Sequence, residues 1–282
     1  MTKPDQSSSS AEPKPGQPGG IVNPYASTSA RNYALVLLTV VYSFNFIDRQ
    51  LLSILQESIK LELALSDSQL GLLTGFAFAI FYVTAGIPIA RWADRSNRRN
   101  IVALAIGLWS FMTAISGLAQ NYAQLLAARI GVGVGEAGGS PPSHSIISDI
   151  FPRNKRASAL AFYSTGVNIG ILFGFLLGGW LNEFFGWRVA FVVVGVPGIV
   201  MAGLVRSTLR EPIRGLIENK QVSDQQVSFS EVIALPWRRR PFPHMAFSSG
   251  LHAFPASAPV HRLACFFIRG PALTPSLFCP LA

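Results

Sequence analysis

Between about residue 32 and residue 207, long apolar runs alternate with short polar breaks. Six runs stand out: Tyr33–Leu55, Gln69–Ala90, Ile101–Ala119, Ala123–Ile147, Ala157–Leu181 and Val189–Val205. Each is close to the ~20 residues that a helix needs to cross a ~30 Å hydrocarbon core. The runs are continuously apolar rather than alternating, and a barrel strand is only about ten residues long, so helices are predicted and strands are not. Glycine is frequent within the runs, as it is where transmembrane helices pack closely.

The flanks have a different texture. Residues 1–31 are rich in Ser, Pro, Gly and Gln, a composition that cannot bury enough surface to fold. They also lack the apolar stretch of a signal peptide. A disordered cytoplasmic tail is expected there, followed by the six-helix unit over 32–207 and a cytoplasmic linker over 208–237. From Arg238 the character changes again. Proline recurs at Pro241, Pro243, Pro255, Pro259, Pro271, Pro275 and Pro280, and no stretch reaches 20 apolar residues free of proline or charge. The piece Phe242–Phe254 faintly resembles the start of a seventh helix. Residues 238–282 are therefore read as aberrant, with a frameshift, a truncated gene, a pseudogene and a true short protein all open.

Composition agrees with a membrane protein. Half of the 282 residues are apolar and only 13% are charged, against about 25% in a soluble domain. The net charge of +9 could suggest nucleic acid, but the basic residues sit in short clusters between apolar runs, so no nucleic-acid partner is expected. Both cysteines, Cys265 and Cys279, lie in the C-terminal tail and say nothing about redox compartment.

The clusters set an orientation. Arg91, Arg95, Arg98 and Arg99 lie between the second and third runs, Arg153, Lys155 and Arg156 between the fourth and fifth, and Arg206, Arg210, Arg214 and Lys220 after the sixth. On the other side Lys60 sits among Glu57, Glu62 and Asp67, and Arg188 is the one exception. The positive-inside rule then places both ends of the unit in the cytoplasm, in a cell membrane.

Several short motifs carry more. The second-to-third connection reads Ala90-Arg-Trp-Ala-Asp94-Arg95-Ser-Asn97-Arg98-Arg99. It resembles the major facilitator superfamily signature Gly-x-x-x-Asp-Arg-x-Gly-Arg-Arg, with Ala90 and Asn97 where the pattern has glycines. Asparagine tolerates positive φ better than most residues, which makes that change mild. The alternative is a basic loop that only sets topology. Arg129-Ile-Gly-Val-Gly133 and Gly186-Trp187-Arg188 with Phe191 match further family patterns in order and spacing. Gly174-Phe-Leu-Leu-Gly178-Gly179 resembles the antiporter motif, with Phe175 in place of its proline. Phe44-Asn45-Phe46-Ile47-Asp48-Arg49-Gln50 and Gly131-Val-Gly-Val-Gly135-Glu136-Ala137, with Pro141-Pro142 and Ser148-Asp149, narrow the resemblance to spinster-like transporters, from about Tyr33 to Pro236. That branch is linked to lysolipid and sphingosine-1-phosphate export; related branches carrying organic anions or sugar phosphates share the layout.

The resemblance implies an all-α membrane bundle of two three-helix repeats, half of a twelve-helix fold. It implies a gating loop at Asp94, Arg95, Arg98 and Arg99, and proton-coupled transport through the first-helix Asp48 and fourth-helix Glu136. Protons, a small-molecule substrate and the lipid bilayer are the expected partners, with a C-terminal half or a second copy needed to complete the path.

The residues also argue for themselves. Charges deep in a membrane are costly and usually face a cavity or a partner. With about 1.5 Å rise per residue, Asp48 lies about 21 Å from the basic side, and Arg129 and Glu136 lie about 8 and 18 Å from the opposite side. In a ~30 Å core Asp48 and Arg129 share nearly one level and Glu136 sits near the middle. Arg129 and Glu136 share a helix face, whereas Asp48 and Arg49 point about 100° apart. One reading is a static Asp48–Arg129 ion pair. The other is a cavity, lined by Asn45, Asp48, Arg49, Arg129 and Glu136, where a carboxylate exchanges a proton and an arginine meets an anionic substrate. Without a facing half, Asp48, Arg129 and Glu136 are expected to lie open to lipid, and the chain alone is not expected to transport.

Gly166, Gly170, Gly174 and Gly178 recur every four residues and form a smooth groove for a neighbouring helix. His144 reads as a packed or capped side chain, and Asn168 as either lining the cavity or bonding a neighbour. No phosphate loop, metal-ligand cluster or catalytic triad is recognisable, so no enzyme activity, metal or cofactor is expected. Gly131-x-Gly133-x-Gly135 lies inside an apolar helix and is not a dinucleotide fingerprint. The reading is a secondary transporter of an amphipathic or anionic small molecule, in an incomplete copy; a non-transporting receptor or scaffold, or an inactive fragment, is the alternative.

Overall fold

The computed structural model describes residues 23–216, 243–245, 247 and 248. The expected linker beyond 216 and most of the expected aberrant tail lie outside the described residues, as do residues 1–22. Residues 23–31, expected to belong to a disordered tail, are structured instead. Ser27 caps helix α1 (Thr28–Leu63) by accepting from the Ala30 amide, and Tyr25 is buried. The Tyr25 hydroxyl donates to the Arg210 carbonyl and accepts from the Arg210 amide. Burial raises its pKa above the ordinary phenol value, which keeps it neutral and able to do both.

The second crossing is a composite rod: α2 (Asp67–Gly71), a π-helical turn (Leu72–Phe76) and α3 (Ala77–Arg95). It starts in a capping box between Ser66 and Gln69. Helix α4 (Arg98–Ser116) follows after a break at Ser96–Asn97. Asn97 caps it from an extended conformation, φ −73°, so the residue in the signature's glycine place serves as an N-cap and needs no positive φ. Arg98 and Arg99 thus belong to the first turn of α4 rather than to a loop.

The fourth run was expected as one helix. It is broken into α5 (Tyr122–Glu136) and α6 (Ser140–Ile150). Gly138 and Gly139 in the gap are poor helix formers. Pro141 and Pro142 supply no amide donors and fit only the first turn of a new helix. The fifth and sixth runs form α7 (Arg153–Thr208), which turns back on itself at Gly186, φ +79° and ψ 165°, a conformation that a side chain would strain.

Packing shows the directions. Along the first limb of α7, Gly166 lies against Thr39, Gly170 against Ser43 and Gly174 against Ile47, so this limb runs parallel to α1. Along the second limb, Gly195 and Gly198 lie against Ser110, and Ala202 lies against Gly107, so it runs antiparallel to α4. Four helical stretches among the described residues are long and apolar enough to span a membrane: Thr28–Leu63, Asp67–Arg95, Arg98–Ser116 and Arg153–Thr208. The turn at Gly186 and the α5–α6 pair bring the crossings to six.

Two apolar clusters fill the interior. One, towards the basic end, holds Leu38, Val102, Ile106, Val132 and Ile147; the other holds Leu51, Leu55, Leu125, Ala190 and Phe191. Along each of α1, α4 and α5 a polar residue falls where one cluster hands over to the other: Asp48, Thr113 and Arg129.

Candidate functional site

That handover layer is the candidate site. Asp48, Thr113, Arg129 and Glu136 are all buried, at 1–2% exposure. Arg129 Nη1 donates to Asp48 Oδ1 at 3.4 Å, and the Thr113 hydroxyl donates to the same oxygen at 2.8 Å. Arg49 Nε donates to Glu136 Oε2 at 2.7 Å. Two ion pairs therefore cross between α1 and α5, together joining neighbouring residues of α1 to residues seven positions apart on α5. The divergence of Asp48 and Arg49 on their helix is what lets each take its own partner.

The two pairs differ in exposure. The side chains of Asp48 and Arg129 are each 3% exposed, whereas Arg49 is 29% exposed over a fully buried Glu136. The guanidinium carbon of Arg49 lies 5.0–5.2 Å from the ring centres of Phe46, Phe78 and Tyr82, within cation–π range. Arg49 thus packs among three rings and a carboxylate while its side chain stays partly exposed.

Asp48, Arg129 and Glu136 were expected to be open to lipid in this chain. They are enclosed instead, because α1, α4 and α5 close around them and each carboxylate finds an arginine within the half-bundle. Asn45 is buried one turn before Arg49. Asn168 is exposed and lies on the face of α7 opposite the glycines, so it neither joins this layer nor reaches into the bundle. His144 is also exposed and packs edge-on against Tyr163, 5.1 Å between ring centres.

The glycine row is buried against α1. A Cβ at Gly170 would sit 2.5 Å from the Ser43 carbonyl oxygen and 2.6 Å from Phe46 Cβ, and one at Gly174 would sit 2.8 Å from Gln50 Cβ. The expected gating residues divide. Asp94 and Arg95 are exposed at the end of α3. Arg98 is buried and grips three side chains, Asp149 at 2.5 Å, Ser145 at 2.7 Å and Glu211 at 2.8 Å, and the Pro212 carbonyl at 3.1 Å. The Arg99 amide donates to the other Glu211 oxygen at 2.9 Å.

Thr113, the three rings around Arg49, and Glu211 were missed from sequence. Thr113 was findable, since it is a hydroxyl at the depth of Asp48 in an apolar run. The rings were not, because aromatic side chains in a membrane helix carry no mark of what they surround.

Residues 38–273 match the profile of the Major Facilitator Superfamily. A solved structure of a bacterial homolog to the human lysosomal transporter Spinster, inward-facing and unoccupied, superposes with a TM-score of 0.75 at 37% identity, over 88% of this chain and 57% of that one. An MFS-type efflux pump of Mycolicibacterium smegmatis is 39% identical over 172 residues, 61% of this chain and 40% of the relative. The probable galactarate/D-glucarate transporter GudP of Bacillus subtilis is 31% identical over 210 residues, 72% of this chain and 45% of the relative. The chain spans less than half the length of these curated relatives.

Proposed function

The chain belongs to the Major Facilitator Superfamily, with spinster-like relatives, and from that premise we propose that it forms one wall of a proton-coupled transport path for an anionic small molecule. Its relatives are transporters and not enzymes. The observation that carries the reading is the asymmetry of the two ion pairs. The Asp48 and Arg129 side chains are each only 3% exposed, whereas Arg49 is 29% exposed. Arg49, rather than Arg129, is the arginine that meets the anion, through a planar fork suited to carboxylate or phosphate. An incoming anion competes with Glu136 for that fork, and Glu136 then holds a proton in place of its arginine. Taking up one anion with one proton leaves the buried layer neutral, which a low-dielectric site requires. Protonation of Asp48 releases Arg129 as well and needs a second substrate charge beside it.

The substrate class proposed is an anion: a carboxylate, as the names of the galactarate/D-glucarate relatives suggest, or the phosphate of a lysolipid, as the spinster-like resemblance implies. The facing wall comes from a second six-helix body, either a further half or a second copy. The basic end, with Arg98, Arg153, Lys155 and Arg206, faces the cytoplasm.

Reconstitution into proteoliposomes of a full-length version, in which the second six-helix body is present, with an imposed pH gradient tests this. Uptake of labelled D-glucarate or of a lysophospholipid should follow the gradient and collapse in Arg49→Gln, with Arg49→Lys recovering only part. Full uptake by Arg49→Gln would end the assignment of Arg49. Impermeant thiol labelling of Asn97→Cys from outside intact cells would reverse the orientation.

A further inference from the structure

Away from the charged layer, a groove of about 520 Å³ opens at the basic end between the start of α1, the end of α6 and the start of α7. Val36, Phe151 and Phe162 form its apolar wall; Asn32, Ser158 and Lys155 form its polar rim. None of its lining residues is acidic. Lys155 is exposed.

The rim is basic. Helix α7 begins after Pro152, whose carbonyl accepts from the Lys155 and Arg156 amides, and no acidic residue lies in its first turn. Lys155 is the cation that lines the groove, at the positive end of the helix dipole. An anion beside it meets no opposing carboxylate in the groove. The apolar wall beneath says what carries that anion. The groove lies where the first and fifth crossings leave the apolar layer, so a ligand seated there has its charged part beside Lys155 and its chain along Val36 and Phe162. Basic pockets between transmembrane helices on the basic side are a known place for lipid headgroups.

We propose that this groove is a binding site for an anionic phospholipid of the bilayer, with the phosphate on Lys155, the glycerol region beside Asn32 and Ser158, and one acyl chain along the apolar wall. The site is separate from Arg49 and Glu136, and stands whether or not they carry transport.

Native mass spectrometry of the full 282-residue chain, released from micelles doped with phosphatidylglycerol or phosphatidylcholine, tests it. Phosphatidylglycerol should be retained about fivefold more tightly than phosphatidylcholine. Lys155→Gln should abolish that preference and Lys155→Arg should keep it, which separates lost charge from lost fold. Ser158→Trp, which fills the groove, should lower retention of both lipids, and Arg206→Gln, a cation on the same side outside the groove, should change neither. Equal retention of the two lipids by the unaltered chain would overturn the proposal. So would displacement of phosphatidylglycerol by millimolar glycerol phosphate, which would mark a soluble-anion site.

Discussion

Two networks of buried charge hold this bundle, one at the basic rim and one at mid-depth, and they are completed to different degrees. At the rim every nitrogen of Arg98 that can donate is used: Nε to Glu211, Nη1 to Ser145 and Asp149, Nη2 to the Pro212 carbonyl. Both Glu211 oxygens are bound, and the second Asp149 oxygen accepts from the Gly215 amide at 3.4 Å. At mid-depth each carboxylate spends one oxygen. Asp48 Oδ2, Glu136 Oε1 and Arg129 Nε are buried without a hydrogen-bond partner among the described residues. A satisfied buried network has one arrangement; a partly satisfied one is costly as it stands and close in energy to alternatives. The rim is therefore built to hold, and the centre to change.

The widest gap between them should appear on removing the rim arginine. Arg98→Ala strands Asp149 and Glu211 and should destabilise the protein by about 3–5 kcal/mol, the usual cost of breaking a buried pair. Loss of monodisperse protein in size-exclusion chromatography, or an early thermal transition, checks it. Arg98→Ala protein as stable as the parent would remove the contrast. A smaller effect is expected from Gly170→Leu. It forces α7 away from α1 beside Ser43 and Phe46, and overpacking of this kind costs about 1–3 kcal/mol. Gly179→Leu, where a Cβ would meet nothing within 4 Å, is its control. If both behave alike, α1 does not depend on the glycine row for its seat.

At the centre the two readouts should separate. Asp48→Asn and Glu136→Gln keep the shape and an acceptor oxygen of the carboxylate they replace, unlike a truncation to alanine, so the stability loss should stay below that of Arg98→Ala. Gradient-driven uptake should fall at least tenfold in both. Normal uptake in both variants would sink proton coupling through these groups. Loss of both from the membrane would make the centre a second holding network, equal in kind to the rim.

How much of this contrast the sequence carried depends on what each feature needs. The six crossings were legible because hydrocarbon thickness forces length and apolarity together, and the depth of Asp48 and Arg129 followed from rise per residue. Glu136 was placed near the middle but without its partner. Arg49 is one residue from Asp48, and only the crossing of α1 over α5 shows that neighbours on one helix reach residues 129 and 136 on the other. The break at 137–139 had a signal in Gly138, Gly139, Pro141 and Pro142, which hydrophobicity alone outweighed. Arg98 looked like one of four equivalent loop arginines. Its burial depends on Glu211, 113 positions later, which no local pattern links to it.

The smallest effect is expected at the far end, where a third charge cluster is open to water. Arg188 is the cation that breaks the charge asymmetry of the loops, and its surroundings explain why it is tolerated. Its Nη2 lies 2.9 Å from Glu62, its Nη1 donates to the Ala119 carbonyl at 2.6 Å, and its guanidinium lies 4.1 Å from the ring centre of Trp187. The pair ties the start of the sixth crossing to the end of the first, so it resembles the rim network in topology. It differs in exposure, at 36% for Arg188 and 49% for Glu62. Water and salt screen such a pair, and exposed ion pairs are worth about 0–1 kcal/mol. Arg188→Gln should therefore lower stability by no more than that, most of it through the lost stacking and carbonyl contacts, and should leave uptake unchanged. Raising salt to 1 M should reproduce the effect of Glu62→Gln in the parent and add nothing to it in that variant. A loss from Arg188→Gln as large as that from Arg98→Ala would show that exposure does not rank these networks, and that the turn at Gly186 depends on its arginine.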